Sequence, residues 1–328
     1  MTNALSATAE LTPGGEPKAA GRSRAWIEDA IFFNVARFFG LFVLLLLGAI
    51  IFMLFIGGWP AFRTFGVDFL WTAAWNPVRE RFGAAVSIYG TIVTSIIALI
   101  VAVPLAFGIA FFLTELAPRW LRRPVATAIE LLAAVPSIIY GMWGFFVVVP
   151  FMAEYVQPPL SDALSELPLI GTLFEGPPIG AGILTAALIL AIMILPFIAA
   201  TMRDVFASVP AMLKESAYGL GATTWEVVRH VVLPYSRVSV VGGIMLGLGR
   251  ALGETMAVTF VIGNTNRISG SLFAPGNTIA SVVALEFPEA AADSLKLHAL
   301  LALGFILFVI SFIVLAIARL LLRPRAQG

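Results

Sequence analysis

The chain has 328 residues, 60% of them hydrophobic and only 12% charged, with a mean hydropathy of +0.98 and a formal net charge of +1. A soluble domain of this length carries roughly twice that charged fraction, so a chain this apolar must bury itself in lipid or against partners. Cysteine is absent, which excludes disulfides, thiol catalysis and Cys-ligated metals. His230 and His298 lie too far apart for a histidine-rich metal site, and nothing in the charge balance calls for nucleic acid.

Taken in chain order, residues 1 to about 25 are rich in Ala, Gly, Pro, Thr and Ser and read as a disordered cytoplasmic tail. The first apolar stretch begins only after Arg37, too late for a cleaved signal peptide, and reads as a retained first helix over 38–56. Further membrane spans are expected at 88–114, 131–152, 179–202, 238–262 and 298–318. Each approaches or exceeds the ~20 residues that a helix needs to cross the hydrocarbon core. In lipid a helix satisfies its own backbone polar groups, so the expected fold is an all-α integral membrane protein of six transmembrane helices occupying 26–328. Pro104, Pro136 and Pro196 are expected to kink their helices.

Loop charges orient the spans. Arg63, Arg79, Arg81, Arg267 and Lys296 fall on one side, Arg250 lies within a span, and every other Lys and Arg falls on the other side. The positive-inside rule puts that richer side, with both termini, in the cytoplasm. Trp59, Trp71 and Trp75 follow the first span, where indoles favour the membrane interface. The loop from Glu154 to Pro178 has room for a short helix near 161–167, with Pro158, Pro159, Pro168, Pro177 and Pro178 breaking anything longer.

The cytoplasmic loop 203–237 carries the most specific signal. Its pattern is helical and amphipathic as far as Leu220, Gly221 supplies a positive φ, and Thr223 with Glu226 makes a capping box for a second helix, which Pro234 is expected to stop. The residues resemble the EAA loop of ABC-importer permeases, the binding-protein-dependent MetI-like family, with Glu215, Ala217, Gly221, Val231, Leu233 and Pro234 at the matching positions. Ser216 stands where that pattern has its first alanine, a small-for-small change. The resemblance implies a type I importer fold and a coupling role for Glu215, Ala217, Gly221, Thr223, Glu226, Leu233 and Pro234 against a separate ATPase. The chain has no G-x-x-x-x-G-K-S/T sequence, so it is expected to be a transport subunit without catalytic residues or a cofactor, ATP and Mg being bound by the partner.

Two further stretches, Glu130–Gly144 and Gly242–Val258, are similar to the phosphate-specific permeases of that family, closest to their PstC-type members. That resemblance implies a bacterial inner-membrane importer of phosphate. Its partners would be a second, PstA-like permease, a dimeric PstB-like ATPase and a PstS-like phosphate-binding protein. The coupling loop does not specify cargo, so a permease for sulfate or molybdate stays open. A stand-alone secondary transporter would leave the loop unexplained.

In the fifth span, Gly243, Gly247, Arg250 and Glu254 fall on one stripe about 60° wide, with Gly242, Gly249 and Gly253 on a second face. The second glycine face is expected to pack on a neighbouring helix, and the charged stripe to turn inward. An intramembrane Arg and Glu cost several kcal/mol unless they meet a cavity or a partner. At i, i+4 they can pair with each other, leaving two readings: a pathway cation held in place by Glu254, or a structural ion pair.

Overall fold

A computed structural model describes the backbone of residues 20–164 and 171–321, with side chains described over 28–164 and 171–320. It divides into two compact units, Met1–Phe52 and Met53–Gly328. The tail expected over 1–25 lies outside the described residues up to 19, and the first helix begins at Ala20.

Among the described residues, six helices are long and apolar enough to cross a membrane: span 1, Glu28–Phe65; span 2, Ala85–Leu116; span 3, Ser137–Leu164; span 4, Ile183–Ala207; span 5, Thr224–Leu252; and span 6, Leu295–Leu320. Among the described residues every regular element is helical, and extended pairing is limited to an isolated bridge between Asn76 and Arg81.

Span 4 is the most buried of the six. It lies along span 2, where Ala98, Ala102, Ala106 and Ala110 form a fully buried stripe at i, i+4 spacing. Small side chains let backbones approach closely in lipid, where tight packing replaces the hydrophobic effect as the glue. Ile189 and Ile198 of span 4 turn instead to spans 3 and 5, where a Cβ on Gly144 or on Gly247 would meet them, and both belong to the same buried cluster. A second cluster, which includes Ala61, Phe69, Phe82, Ile279 and Leu300, gathers around span 6. There a Cβ on Gly58 would sit 2.8 Å from the Ala302 Cα, and His298 Nδ1 lies 2.7 Å from the Gly57 carbonyl oxygen. His298 is thus engaged with backbone.

Four expectations require correction. The third span starts at Ser137 and runs to Leu164, rather than over 131–152. Residues Arg119–Ala133 form a separate amphipathic helix, and the chain breaks before Pro136, which initiates span 3 where its fixed φ is favourable instead of kinking its middle. At the far end the helix passes through Pro158 and Pro159, because a π-turn over Met152–Val156 widens the backbone just before them. Pro234 likewise does not end the second helix of the hairpin. A π-turn over Val228–Val232 precedes it, and the helix runs from Thr224 through Pro234 into span 5.

On the face away from that hairpin, the loop 263–278 is pinned to the start of span 2. Ser87 Oγ donates to Asn277 Oδ1 at 3.0 Å, Thr91 Oγ1 accepts from the Ile279 amide at 2.9 Å, and Asn277 Nδ2 donates to Asn266 Oδ1. Gly90 sits directly under the Asn277 carbonyl, where a Cβ has no room. Gly90→Ala should therefore lower stability by about 1–3 kcal/mol, the usual penalty for overpacking a rigid contact. Thermal unfolding in detergent measures it, and an unchanged midpoint would show that the loop yields freely.

Candidate functional site

The hairpin is built from local signals. Its first helix, Ala211–Gly219, ends at Gly221, whose φ of +88° lies in the left-handed region that glycine enters without strain. The Gly221 amide donates to the Tyr218 carbonyl at 2.9 Å and the Ala222 amide to the Ala217 carbonyl at 3.1 Å. That pair of bonds is a Schellman motif, and it gives Ala217 two tasks: accepting the outer bond and packing with Ala222 against the core. The second helix opens with a complete capping box. The Glu226 amide donates to Thr223 Oγ1 at 3.4 Å, and the Thr223 amide donates to Glu226 Oε2 at 2.8 Å. Leu233 packs against the core and Pro234 lies exposed in the first turn after the π-turn.

One face of the hairpin is left open. Met212, Leu213, Tyr218 and Leu220 are exposed apolar side chains there, with Glu215 exposed among them, whereas the half-exposed Trp225 sets its ring edge-on against Phe107 and Phe111 of span 2. The other face is tied down: Lys214 Nζ donates to Glu115 Oε1 at 2.7 Å and to the Phe206 carbonyl at 3.3 Å. Glu115 lies on a π-turn at the end of span 2 and is almost fully buried by this contact. Sequence reasoning missed Glu115, because its partner is 99 residues away and no motif joins them. An acidic residue at the tip of an apolar span was the available signal. His230 is exposed on the second helix.

The intramembrane charges are arranged differently from the i, i+4 expectation. Span 5 ends at Leu252, the chain turns at Gly253–Thr255, and a short helix, Met256–Val261, follows. Glu254 therefore no longer stands one helical turn above Arg250. Its Oε1 instead accepts from the Ala257 amide at 3.2 Å, at the start of the short helix. Among the described residues, no carboxylate comes within ion-pair distance of the half-buried Arg250. The glycine faces are also exchanged. Gly243 and Gly247 form the packing contact, because a Cβ there would meet Thr201 Cγ2 at 2.8 Å and Ile198 Cδ1 at 2.7 Å on span 4. Gly242 and Gly249 have no such neighbour, and Gly253 has only the Gly249 carbonyl at 3.7 Å.

Two interrupted helices meet beside Arg250. The short helix Met256–Val261 packs on the start of span 3, where a Cβ on Gly141 would lie 3.0 Å from the Ala257 Cα. Tyr140 bridges the break before span 3, its hydroxyl donating to the Leu132 carbonyl at 2.9 Å. The result is an unpaired guanidinium near two ends of irregular backbone. Such backbone is tolerated at membrane depth where it is buried in protein or lines a cavity.

Residues 102–326 match the family model described as "Binding-protein-dependent transport system inner membrane component". The chain is 60% identical over 296 residues to the phosphate transport system permease protein PstC of Pasteurella multocida (strain Pm70), covering 90% of this chain and 92% of that protein. It is 56% identical over 319 residues to PstC of Mesorhizobium japonicum, covering 97% of each. A probable PstC of Methanocaldococcus jannaschii is 36% identical over 293 residues, covering 88% of this chain and 91% of that one. Among solved structures, a chain of a bacterial alginate ABC transporter in complex with its alginate-bound periplasmic protein superposes with a TM-score of 0.58. That match covers 95% of this chain and 99% of the other at 16% identity, a likeness of fold.

The hairpin geometry yields a measurable expectation. Gly221→Val forces a β-branched residue into the left-handed region, at about 1–2 kcal/mol, and Thr223→Ala removes a cap worth about 1 kcal/mol. Both should speed amide hydrogen exchange across 211–227 and leave span 4 protected. Unchanged exchange in the hairpin would show that neither motif holds it.

Proposed function

The chain belongs to the binding-protein-dependent transport system inner membrane components, and on that footing we propose that it is the PstC-type permease subunit of an ATP-driven importer of inorganic phosphate. The observation that carries this reading is the likeness to phosphate permeases along nearly the whole chain, hairpin and interrupted fifth span included. In this reading the hairpin face and both termini are cytoplasmic in a bacterial inner membrane, in line with the loop charges. The chain forms half of a pathway with a second, PstA-like permease. It receives phosphate from a PstS-like binding protein and docks on a PstB-like ATPase dimer that binds ATP and Mg.

The exposed face around Glu215 and Leu220 supplies the dock, and the covered face around Lys214 anchors it to spans 2 and 4. Because the second hairpin helix is continuous with span 5, a displacement at the dock is carried along one rigid element toward Arg250. Arg250 is the residue that attracts the anion. A guanidinium inside the membrane costs several kcal/mol when isolated, so an unpaired one is retained where it meets a cavity or a ligand. Glu254 holds the start of the short helix beside the pathway and does not neutralise Arg250.

Reconstitution of the purified complex with its binding protein tests each part. Phosphate-loaded binding protein should stimulate ATP hydrolysis and uptake, whereas stimulation by sulfate or molybdate instead would overturn the choice of cargo. Arg250→Gln should lower uptake about tenfold or more, the loss of one charge-assisted contact, with assembly intact. Arg250→Gln combined with Glu254→Gln should be no better, since the two are not a pair. Full uptake by the double variant would reduce both residues to structure. Glu215→Lys should abolish uptake at normal abundance, and wild-type transport by it would count against docking through this face.

A further inference from the structure

A cavity of about 440 Å³ lies behind the coupling hairpin, between the Arg119–Ala133 helix and the ends of spans 2 and 4. Its lining includes Arg122, Arg123, Arg203, Lys214, Thr114 and Ala126. Two of the four cations are answered by carboxylates: Lys214 by Glu115 at 2.7 Å, and Arg203 by Glu130 at 2.9 Å and Asp204 at 2.7 Å. Arg122 and Arg123 have no carboxylate within ion-pair distance among the described residues. Arg122 is held by its Nε, which donates to the Ala117 carbonyl at 2.9 Å and leaves both terminal nitrogens uncommitted. The cavity thus concentrates positive charge that the protein itself does not balance. None of these residues belongs to the proposed pathway at Arg250.

We propose that this cavity is a binding site for a phosphate-bearing anion, supplied either by the headgroup of an anionic lipid or as free orthophosphate. The guanidinium fork matches phosphate oxygens in shape and charge. The cavity's position suits an interfacial ligand: Trp120, Leu131 and Leu132 are exposed apolar residues on the same amphipathic helix, so its basic end stands at headgroup level. Ala126 leaves the space that the ligand occupies. Lys214 lines the cavity and also ties the coupling helix to Glu115, so an anion here competes with Glu115 for that ammonium. Assignment to the cytoplasmic leaflet rests on the orientation proposed above; the site itself does not.

The test uses the complete complex and measures binding, so its outcome is independent of whether phosphate is the cargo. In one arm, the complex is exchanged into lipid-free detergent and retained phospholipids are identified by mass spectrometry. In the other, orthophosphate binding to the delipidated complex is followed by equilibrium dialysis. Two variants are compared with wild type: Arg122→Gln with Arg123→Gln removes the unbalanced charge, and Ala126→Phe fills the cavity with every charge in place. Both should lose the same bound species, with affinity down about tenfold or more. Loss of retained anionic lipid identifies the headgroup as the source, and loss of an orthophosphate site identifies the free ion. Unchanged binding in both arms overturns the proposal. So does loss in the charge variant alone, which would assign the effect to surface charge. If the charge variant fails to assemble, Ala126→Phe decides by itself.

Discussion

Close approach to span 4 is the constraint on which the arrangement of Met53–Gly328 depends. In lipid, two apolar helices gain nothing from excluding water, so they stay together only where backbones come near enough for dense packing. Span 2 meets this need with Ala98, Ala102, Ala106 and Ala110, and span 5 with Gly243 and Gly247 against Thr201 and Ile198. With span 4 gripped from two sides, its end is a fixed post. Phe206 is fully buried there, and its carbonyl accepts from Lys214. The hairpin therefore hangs from the best-packed element of the chain, whose position the small residues determine.

Charge placement follows from the same packing. Gly243 and Gly247 must face span 4, which puts Arg250, three residues beyond, at the edge of the contact rather than in its centre. The break at Gly253 then removes Glu254 from the helix. Had span 5 continued to 262, the two charges would have lain one turn apart and a mutual ion pair would have been the natural outcome. Ending the helix two residues after Arg250 keeps its charge available.

What could be read from the sequence divides along the range of the interactions. The six apolar runs were legible because each meets the length requirement by itself. The hairpin geometry was legible as well, since a glycine at the helix end and Thr223-x-x-Glu226 act within a few residues. The ends of span 3 were not. Leu131–Val135 is as apolar as a span, and only tertiary packing assigns it to the close of an amphipathic helix and a turn. The glycine faces of span 5 were ambiguous, because two stripes of small residues were available and only the partner helix selects between them. The Lys214–Glu115 contact and the cavity behind it join residues far apart in the chain, beyond any spacing rule.

Four π-turns occur among the described residues, at 112–116, 144–148, 152–156 and 228–232. Each holds one residue more than an α-helical turn would need, so it can be viewed as an insertion stored inside a helix. The one at 228–232 lies on the element that joins the hairpin to Arg250. Deleting a single residue there would let the helix heal into a regular α-helix, and because a π-turn sweeps nearly the same angle as an α-helical turn with one residue fewer, the parts before and after would stay nearly in phase. The extra residue thus acts locally, widening the helix just before Pro234. A lineage that lost it would keep dock and guanidinium on their present faces and meet instead the clash of the Pro234 ring with a regular preceding turn.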